Sequence, residues 1–397
     1  MGHLWGMDLL GTMVFFSIGV LIPVWTEDLG LTPFQAGLMG AAGFLGFGVM
    51  ALPASVWLTK YNPRLVTLAC VMGLAVAAAA QAFSPTAWVL LATRFVFVVL
   101  AVSRIQIQVL FIQGWFQPRL YPTVNSMDFA NRSLGQTLAV AATPALIVLL
   151  GSWRSFYLAA AVGLVIVAVL WSVFGKERAV PREGDRPSAP TGNPIAVLRR
   201  HKSLWVLASA QIGAAMAFAS FITFFPTYAI ERLGLSLTAV GLVMSAFPIG
   251  AMLGSISSGP LSQLIGRRKP FIWVPGLFLP VLYLAVLRTD SVPLVMLLLF
   301  GAGTSAMMVP PILATVPLDM RLAPREVAVA LGLVRTLFPI GATMGPLLVG
   351  AIQQSTGSLL LGLSIVSPMA LTLLVGGLLV PETGAKGQRQ PPASASG

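Results

Sequence analysis

Four arginines lie inside long apolar stretches of the sequence, where a cation is costly unless a partner or a ligand neutralises it: Arg94, Arg104, Arg132 and Arg335. Arg132 and Arg335 each stand roughly ten residues into such a stretch, near the middle of a bilayer at about 1.5 Å per residue. An arginine at that depth costs about 2.5–3.5 kcal/mol on insertion scales. Because a guanidinium forks onto carboxylates and other oxyanions, these two residues indicate anion binding.

The arginine at position 132 belongs to a polar stripe at helical spacing, formed by Asn125, Asp128, Arg132 and Gln136. A stripe of this kind must face the protein interior, because lipid cannot solvate it. Asp128 either neutralises Arg104 or Arg132 and so locks two helices together, or takes part in proton coupling. Asp8 stands near the start of its apolar run and is expected at the membrane interface. Asp128 is then the one acid expected at depth.

Arg104 lies about ten residues from the end of the preceding apolar run, and Gln108 follows one helical turn later on the same face. Because cations outnumber acids at this depth, an entering anion would relieve their mutual repulsion. We therefore predict a small-anion site formed by Arg132 and Arg335, with Arg104 and Gln108 nearby. The alternative is that the two arginines take part in gating, paired with main-chain carbonyls or with Asp319 and Glu326.

Composition places these residues in a membrane protein. The chain has 397 residues, of which 57% are hydrophobic and 9% charged, and its mean hydropathy is +0.88. Soluble domains carry about 25% charged residues. The net charge of +12 would suggest nucleic acid in a soluble protein, but no nucleic-acid partner is expected when the charges flank apolar runs.

Residues for enzyme chemistry are scarce in the sequence. Cys70 is the single cysteine, and the two histidines, His3 and His201, stand at the N-terminus and in the middle of the chain. That spacing argues against a histidine-based metal site or a Ser–His pair, and no glycine-rich phosphate loop with its lysine occurs. We therefore expect no enzyme activity, no metal and no cofactor, and energy must come from gradients or exchange.

Eleven breaks of Pro, Gly or charge divide the chain into twelve apolar runs, each about 20 residues long and able to span a bilayer. Of the 24 Lys and Arg residues, four lie within the runs and seventeen lie in the even-numbered breaks or the C-terminal tail. The odd-numbered breaks hold the remaining three, Arg154, Arg232 and Arg288. The positive-inside rule then places both termini in the cytoplasm, in a multi-pass protein of the cell (inner) membrane.

The two halves of the chain repeat with an offset of about 204, because Leu29-Gly30-Leu31-Thr32 returns as Leu233-Gly234-Leu235-Ser236. Thr32 is predicted to cap the second span, with Pro33 at its first position and Gln35 closing a capping box. A repeat in the same orientation predicts an all-α membrane protein with twelve transmembrane helices in two pseudo-symmetric six-helix bundles.

The bundles are predicted at residues 1–175 and 204–380, joined by a cytoplasmic loop at 176–203 and followed by a disordered tail at 381–397. Residues 196–202 form either a short surface helix whose basic face meets anionic lipid or part of a solvated loop.

One loop of the repeat carries a recognisable motif. After the eighth predicted span the chain reads Gly259-Pro260-Leu261-Ser262-Gln263-Leu264-Ile265-Gly266-Arg267-Arg268-Lys269. It resembles the Gly-x-x-x-Asp-Arg-x-Gly-Arg-Arg/Lys loop of the major facilitator superfamily, with Gln263 and Leu264 in place of the Asp-Arg pair. The copy after the second span matches less well. In that family the motif's carboxylate holds helices together in one state of the transporter. This chain has no carboxylate at that position, so the same interaction is not expected here.

Further fragments resemble the same family in order and spacing, including Thr93-Arg94-Phe95 in the fourth span and Gly341-x-x-x-Gly345-Pro346 in the eleventh. The resemblance implies a monomeric secondary transporter that rocks two bundles about a central site. It implies gating roles for Gly259, Gly266, Arg267 and Arg268, and coupling or helix packing for Arg94. A role in coupling transport to a second ion is also considered for Glu27. The first and seventh spans line the cavity in this family, so Tyr228 is predicted to bind substrate; an interfacial belt explains it and Trp25 more simply. The aromatics that end these two spans are Trp25, Phe224, Phe225 and Tyr228.

The residues and the resemblance together predict a secondary active transporter of a small organic anion, a carboxylate above all. Transport would proceed by anion exchange, or by proton symport if Asp128 titrates. The alternatives are a proton-coupled exporter of drugs or other lipophiles, a carrier of inorganic anions such as nitrate, and a membrane receptor that transports nothing.

Overall fold

The computed structural model describes residues 2–57, 61–117, 120–176, 196–320, 322, 324–384 and 386. The regular elements in these ranges are helices: α1 Gly2–Phe16, α2 Ile18–Leu29, α3 Pro33–Trp57, α4 Pro63–Ala82, α5 Ala87–Trp115, α6 Tyr121–Leu150, α7 Trp153–Phe174, α8 Ala196–Arg200, α9 Lys202–Leu233, α10 Leu237–Ile265, α11 Pro270–Val286, α12 Val292–Asp319, α13 Pro324–Thr356, α14 Leu359–Val366 and α15 Leu371–Leu379, with a 3-10 turn at Ser367–Ala370.

Twelve membrane spans follow from these helices. Ten stretches are long and apolar enough to cross a bilayer, with α14, the 3-10 turn and α15 forming one of them. An eleventh is the pair α1 and α2, which meet at a 49° bend, and the twelfth is the shorter apolar helix α11. The all-α fold with twelve spans is confirmed.

The predicted helix start after the first span is present in both halves. Gly30 and Gly234 have φ values of 62° and 63°, the left-handed conformation that glycine adopts without strain. The Thr32 hydroxyl accepts a hydrogen bond from the Gln35 N–H at 3.2 Å, and the Gln35 side chain accepts one from the Thr32 N–H at 3.0 Å. The capping box is therefore confirmed. In the second copy the Ser236 hydroxyl accepts from the Ala239 N–H at 3.3 Å.

Contacts divide the chain into two compact units. Unit 1 comprises residues 1–190, 222–245 and 353–356, and unit 2 comprises the rest. In unit 1, α1 packs on α6, and α4 packs on α5 and α7; in unit 2, α11 packs on α12 and α15. The division into bundles at residues 175 and 204 is a division by sequence repeat, and it stays a prediction.

The central connection is described only at its end. Residues 177–195 of the predicted loop and 387–397 of the predicted tail lie outside the described residues. Helix α8 is present at Ala196–Arg200, and its Val197 side chain is buried with Leu204 and Ala330 in an apolar cluster. The short surface helix is therefore docked on unit 2 by its apolar face, which leaves Arg199 and Arg200 exposed.

Candidate functional site

Asp8 and Arg104 form a buried ion pair between α1 and α5, in which a guanidinium N–H of Arg104 donates to the Asp8 carboxylate. Both side chains are almost fully buried, with 1% and 2% exposure. The expectation that Asp8 lies at the membrane interface is therefore wrong. Its helix begins at Gly2, so Asp8 is nearly two turns along α1, where α6 packs against it. A charge at such a position needs a partner, and Arg104 provides it.

Asp128 joins two further predicted residues to this pair. The Arg132 guanidinium donates to the Asp128 carboxylate at 2.8 Å across one turn of α6, and the Gln108 amide donates to its other oxygen. The Arg132 Nε also lies 4.0 Å from the Asp8 carboxylate. The structure thus brings Arg104, Gln108, Asp128 and Arg132 together, as the sequence predicted, and adds Asp8. The side chain of Asn125 lies outside the described residues.

Close packing of α1 on α6 holds this polar cluster in place. The Asn131 side chain donates to the Trp5 carbonyl at 3.0 Å. A Cβ on Gly135 would lie 3.3 Å from the Leu9 carbonyl oxygen, so the two helix backbones approach closely there. This approach places the polar stripe of α6 directly beside Asp8.

Several buried polar atoms of the cluster have no hydrogen-bond partner in the part of the chain that the structure describes. They are Asp8 Oδ2, Arg104 Nη1, Gln108 Oε1, Arg132 Nε and the Trp5 indole N–H. An unpartnered buried polar atom costs about 1–3 kcal/mol. A cluster with both free donors and free acceptors has the chemistry to bind a polar ligand or water. Arg132 is also 32% exposed, so part of its guanidinium is accessible.

Arg335 differs from the other three intramembrane arginines. It is exposed, and no described residue forms an ion pair or side-chain hydrogen bond with it. The exposed apolar residues Ile340 and Met344 lie about 140° and 180° away from it around α13 at 100° per residue. The face of α13 that carries Arg335 is buried farther along the helix, at Ala342 and Val349. Arg335 therefore does not lie on the lipid face of its helix.

Arg94 is buried on α5 and donates to the carbonyl oxygen of Phe15 at 2.9 Å, beside the bend between α1 and α2. Two of its nitrogens, Nε and Nη1, have no hydrogen-bond partner among the described residues, although the buried Tyr157 side chain lies next to it. This contact supports the helix-packing interpretation of Arg94, and a coupling role stays a prediction.

Residues at the opposite end of the first span have separate partners. Asp28 accepts hydrogen bonds from the side chains of Arg154 and Trp153, whereas Glu27 is exposed. Trp25 and Tyr228 are buried, at 0% and 5% exposure. The interfacial-belt interpretation of these two aromatics is therefore wrong, because a belt residue contacts lipid headgroups. A role for Tyr228 in substrate binding stays a prediction.

The loop after α10 contains a salt bridge that the sequence did not predict. The Arg268 side chain pairs with Asp319 at 3.0 Å, and Gly266 turns the chain with a φ of 72°. Asp319, at the end of α12, thus provides a carboxylate to the loop after α10, whose own Asp-Arg pair is missing. Glu326 lies 3.6 Å from Arg200, and no ion pair of the described residues joins Asp319 or Glu326 to Arg132 or Arg335.

Comparisons with known proteins agree with this architecture. A sequence model of the Major Facilitator Superfamily matches residues 4–320 and 229–396. The nitrite extrusion protein of Bacillus subtilis (strain 168) is 22% identical, over 92% of this chain and 90% of its own. A probable sulfoacetate transporter of Cupriavidus necator is 22% identical, over 86% of this chain and 84% of its own. A crystal structure of a bacterial homolog of the human lysosomal transporter Spinster superposes with a TM-score of 0.74 at 17% identity, covering 98% of both chains.

Proposed function

The chain belongs to the major facilitator superfamily and is a multi-pass membrane transporter, and from this premise we propose that it carries a small organic anion, with a carboxylate as the preferred group. In this proposal Arg132 and Arg335 contact the anion during the transport cycle, with Arg104 and Gln108 as further contacts. Transport then proceeds by alternating access, as anion exchange or proton symport.

The observation that carries the proposal is the unpartnered, exposed guanidinium of Arg335 on the side of α13 away from Ile340 and Met344. A cation inside an apolar bundle is costly, so it normally has a partner group or a ligand that neutralises it. No described residue does so for Arg335, which leaves a ligand or solvent ions for that role. An oxyanion matches the planar fork of a guanidinium in both charge and geometry.

The balance of charge also favours an anion. The apolar spans contain the four arginines Arg94, Arg104, Arg132 and Arg335, and among the described residues two acids, Asp8 and Asp128, pair with Arg104 and Arg132. Four cations less two acids leaves a surplus of two positive charges. Asp8 reduces the surplus that the sequence predicted, but it does not remove it. Because no described acid pairs with Arg335, an anion would neutralise that charge.

The names of the relatives support the class of substrate. Nitrite and sulfoacetate are both anions, one inorganic and one organic. Because a relative that covers nine-tenths of this chain is a nitrite extrusion protein, a small inorganic anion is the second candidate. We prefer an organic anion, because the free acceptors Asp8 Oδ2 and Gln108 Oε1 fit a substrate that also carries a hydrogen-bond donor.

Flux into proteoliposomes tests the proposal. The purified full chain is reconstituted and assayed for uptake and exchange of labelled carboxylates, sulfonates, nitrite and lipophilic cations. Carboxylate flux that Arg335→Gln reduces at low anion concentration and Arg288→Gln preserves is the expected result, since Arg288 is an exposed arginine outside the helices. Flux of lipophilic cations alone would identify a drug exporter, and ligand binding without any flux would identify a receptor. Either outcome rejects the proposed function.

A further inference from the structure

A cationic cavity of about 370 Å³ lies in unit 2, where two membrane spans end. Its walls are the loop after α10, the start of α11, the end of α15 and the chain that follows α15. The residues that line it include Arg267, Lys269, Trp273, Leu378, Glu382 and Lys386. Three of these side chains are cationic and one is acidic, so three positive charges and one negative charge face the cavity.

The single acid is already engaged by the protein backbone. The Glu382 carboxylate accepts hydrogen bonds from the N–H groups of Arg268 at 2.6 Å, Lys269 at 3.2 Å and Gly384 at 2.9 Å. It therefore shapes the loop at the start of α11. The Lys269 ammonium donates to the Leu378 carbonyl at 2.8 Å and has a structural role as well.

Two cations at the cavity have no such engagement. Arg267 and Lys386 are exposed, and neither side chain forms an ion pair or hydrogen bond with any described residue. They line the same cavity, so an oxyanion bound there meets both charges without displacing an existing partner. Charge-assisted bonds to such an oxyanion are stronger than bonds between neutral groups.

The border of the cavity is apolar and lies at a membrane surface. Leu378, which lines it, is 55% exposed, and the adjacent Leu379 is 68% exposed at the last residue of α15. Trp273 stands in the first turn of α11, a position typical of indole rings at the boundary between lipid and water. Cations beside exposed leucines at the end of a span fit a ligand with a charged head and an apolar tail.

The repeat places a similar feature in unit 1. A cavity of about 550 Å³ there is lined by Asn62, Arg64, Leu65, Gly175 and Lys176. These residues lie where the second and sixth spans end and the third begins. The residues of the first cavity lie where the eighth and twelfth spans end and the ninth begins. Two cations and no acid line it. Each unit thus has a cationic cavity at the equivalent end of its own spans.

We propose that the cavity in unit 2 binds the phosphate headgroup of an anionic phospholipid, with the acyl chains lying along Leu378 and Leu379. Arg267 and Lys386 donate to the phosphate oxygens, and Glu382 holds the loop that positions Arg267. Basic pockets at the cytoplasmic ends of transmembrane helices suit such headgroups, and the distribution of Lys and Arg assigns this loop to the cytoplasm. A free phosphate ion offers the same headgroup chemistry without the apolar tail.

Native mass spectrometry of the full chain in detergent tests the site, with phosphatidylglycerol and phosphatidylcholine of identical acyl chains titrated in parallel. We expect selective retention of phosphatidylglycerol by the wild type. The variant Arg267→Gln/Lys386→Gln should weaken retention roughly thirtyfold, about fivefold for each cation removed near an anionic headgroup. The control Arg288→Gln removes an exposed cation of unit 2 that lines neither cavity, and it should retain the lipid unchanged.

Equal retention of the two lipids by the wild type would overturn the proposal, as would an equal loss of phosphatidylglycerol in the control variant. Displacement of the lipid by inorganic phosphate would assign the cavity to a soluble anion instead. If the double variant does not fold, as judged by its unfolding temperature, each single variant should lose about fivefold. The comparison of the two lipids on the wild type tests the proposal without the need for any variant.

Discussion

No side chain fits on Gly19, because a Cβ there would overlap the carbonyl oxygen of Ile222. The backbones of α2 and α9 are therefore in direct contact within unit 1. A second contact of this kind joins α6 and α10, where a Cβ on Gly241 would lie 2.6 Å from the Val140 carbonyl oxygen. Through these contacts the second half of α9 and the start of α10 pack against helices of the first half of the chain.

Gly19→Val should prevent this contact and slow transport. Overpacking of this kind costs about 1–3 kcal/mol, so the contacting state loses roughly fivefold to a hundredfold in population. Steady-state flux in proteoliposomes is the measurement. Gly11→Ala is the matched control in the same span, because nothing lies within 4 Å of a Cβ at Gly11. Equal flux from both variants would show that the cycle does not require the contact between α2 and α9.

Removal of Asp8 should destabilise the protein more than removal of any exposed acid. Asp8→Asn leaves the Arg104 guanidinium buried without its counter-charge, which costs about 3–5 kcal/mol. Asp28→Asn is the control, because its pair with Arg154 is about 40% exposed and such pairs contribute about 0–1 kcal/mol. Unfolding in detergent, followed by scanning fluorimetry, provides the comparison.

The double variant Asp8→Asn/Arg104→Gln separates the ion pair from the rest of the cluster. If loss of the ion pair causes the lower stability of Asp8→Asn, the double variant is more stable than the sum of the two single changes predicts. Additive losses would mean that Asp8 and Arg104 act independently, and the buried pair would then not explain the stability of α1 against α5.

The sequence predicted the parts of the fold and site that depend on local spacing. Asp128 and Arg132 are one helical turn apart, so their pairing followed from periodicity alone. The capping box at Thr32 and its repeat at Ser236 were equally local. Asp8 was misplaced because its depth depends on where α1 begins and how α6 packs on it. The two acids that bind Arg268, Asp319 and Glu382, are 51 and 114 positions away, which spacing cannot reveal.

The capping box at the start of α3 should contribute measurably to stability. Thr32→Ala removes the hydroxyl that accepts from the Gln35 N–H and should cost about 1 kcal/mol. Ser236→Ala makes the same change in the second copy, where the bond is longer at 3.3 Å and no reciprocal bond is present among the described residues. The unfolding temperature should therefore fall more for Thr32→Ala. The reverse order would show that the repeat units differ in stability for reasons outside the cap.

Arg335 offers the sharpest test of how an anion is bound. Arg335→Gln removes the charge, and the loss of a charge-assisted hydrogen bond of about 1.5–3 kcal/mol should raise the KM for the anion roughly tenfold to a hundredfold. Arg335→Lys keeps the charge but not the planar fork, so its KM should lie between those of the wild type and Arg335→Gln. Initial rates of counterflow across a range of anion concentrations measure both variants.

The order of the three KM values distinguishes binding from a structural role. Because Arg335 is exposed and has no partner among the described residues, its replacement leaves no buried charge behind, and the unfolding temperature should change little. A KM that rises in the order Arg, Lys, Gln at constant stability requires direct contact with the anion. Equal KM values with a lower unfolding temperature would mean that the guanidinium supports α13 and not the substrate.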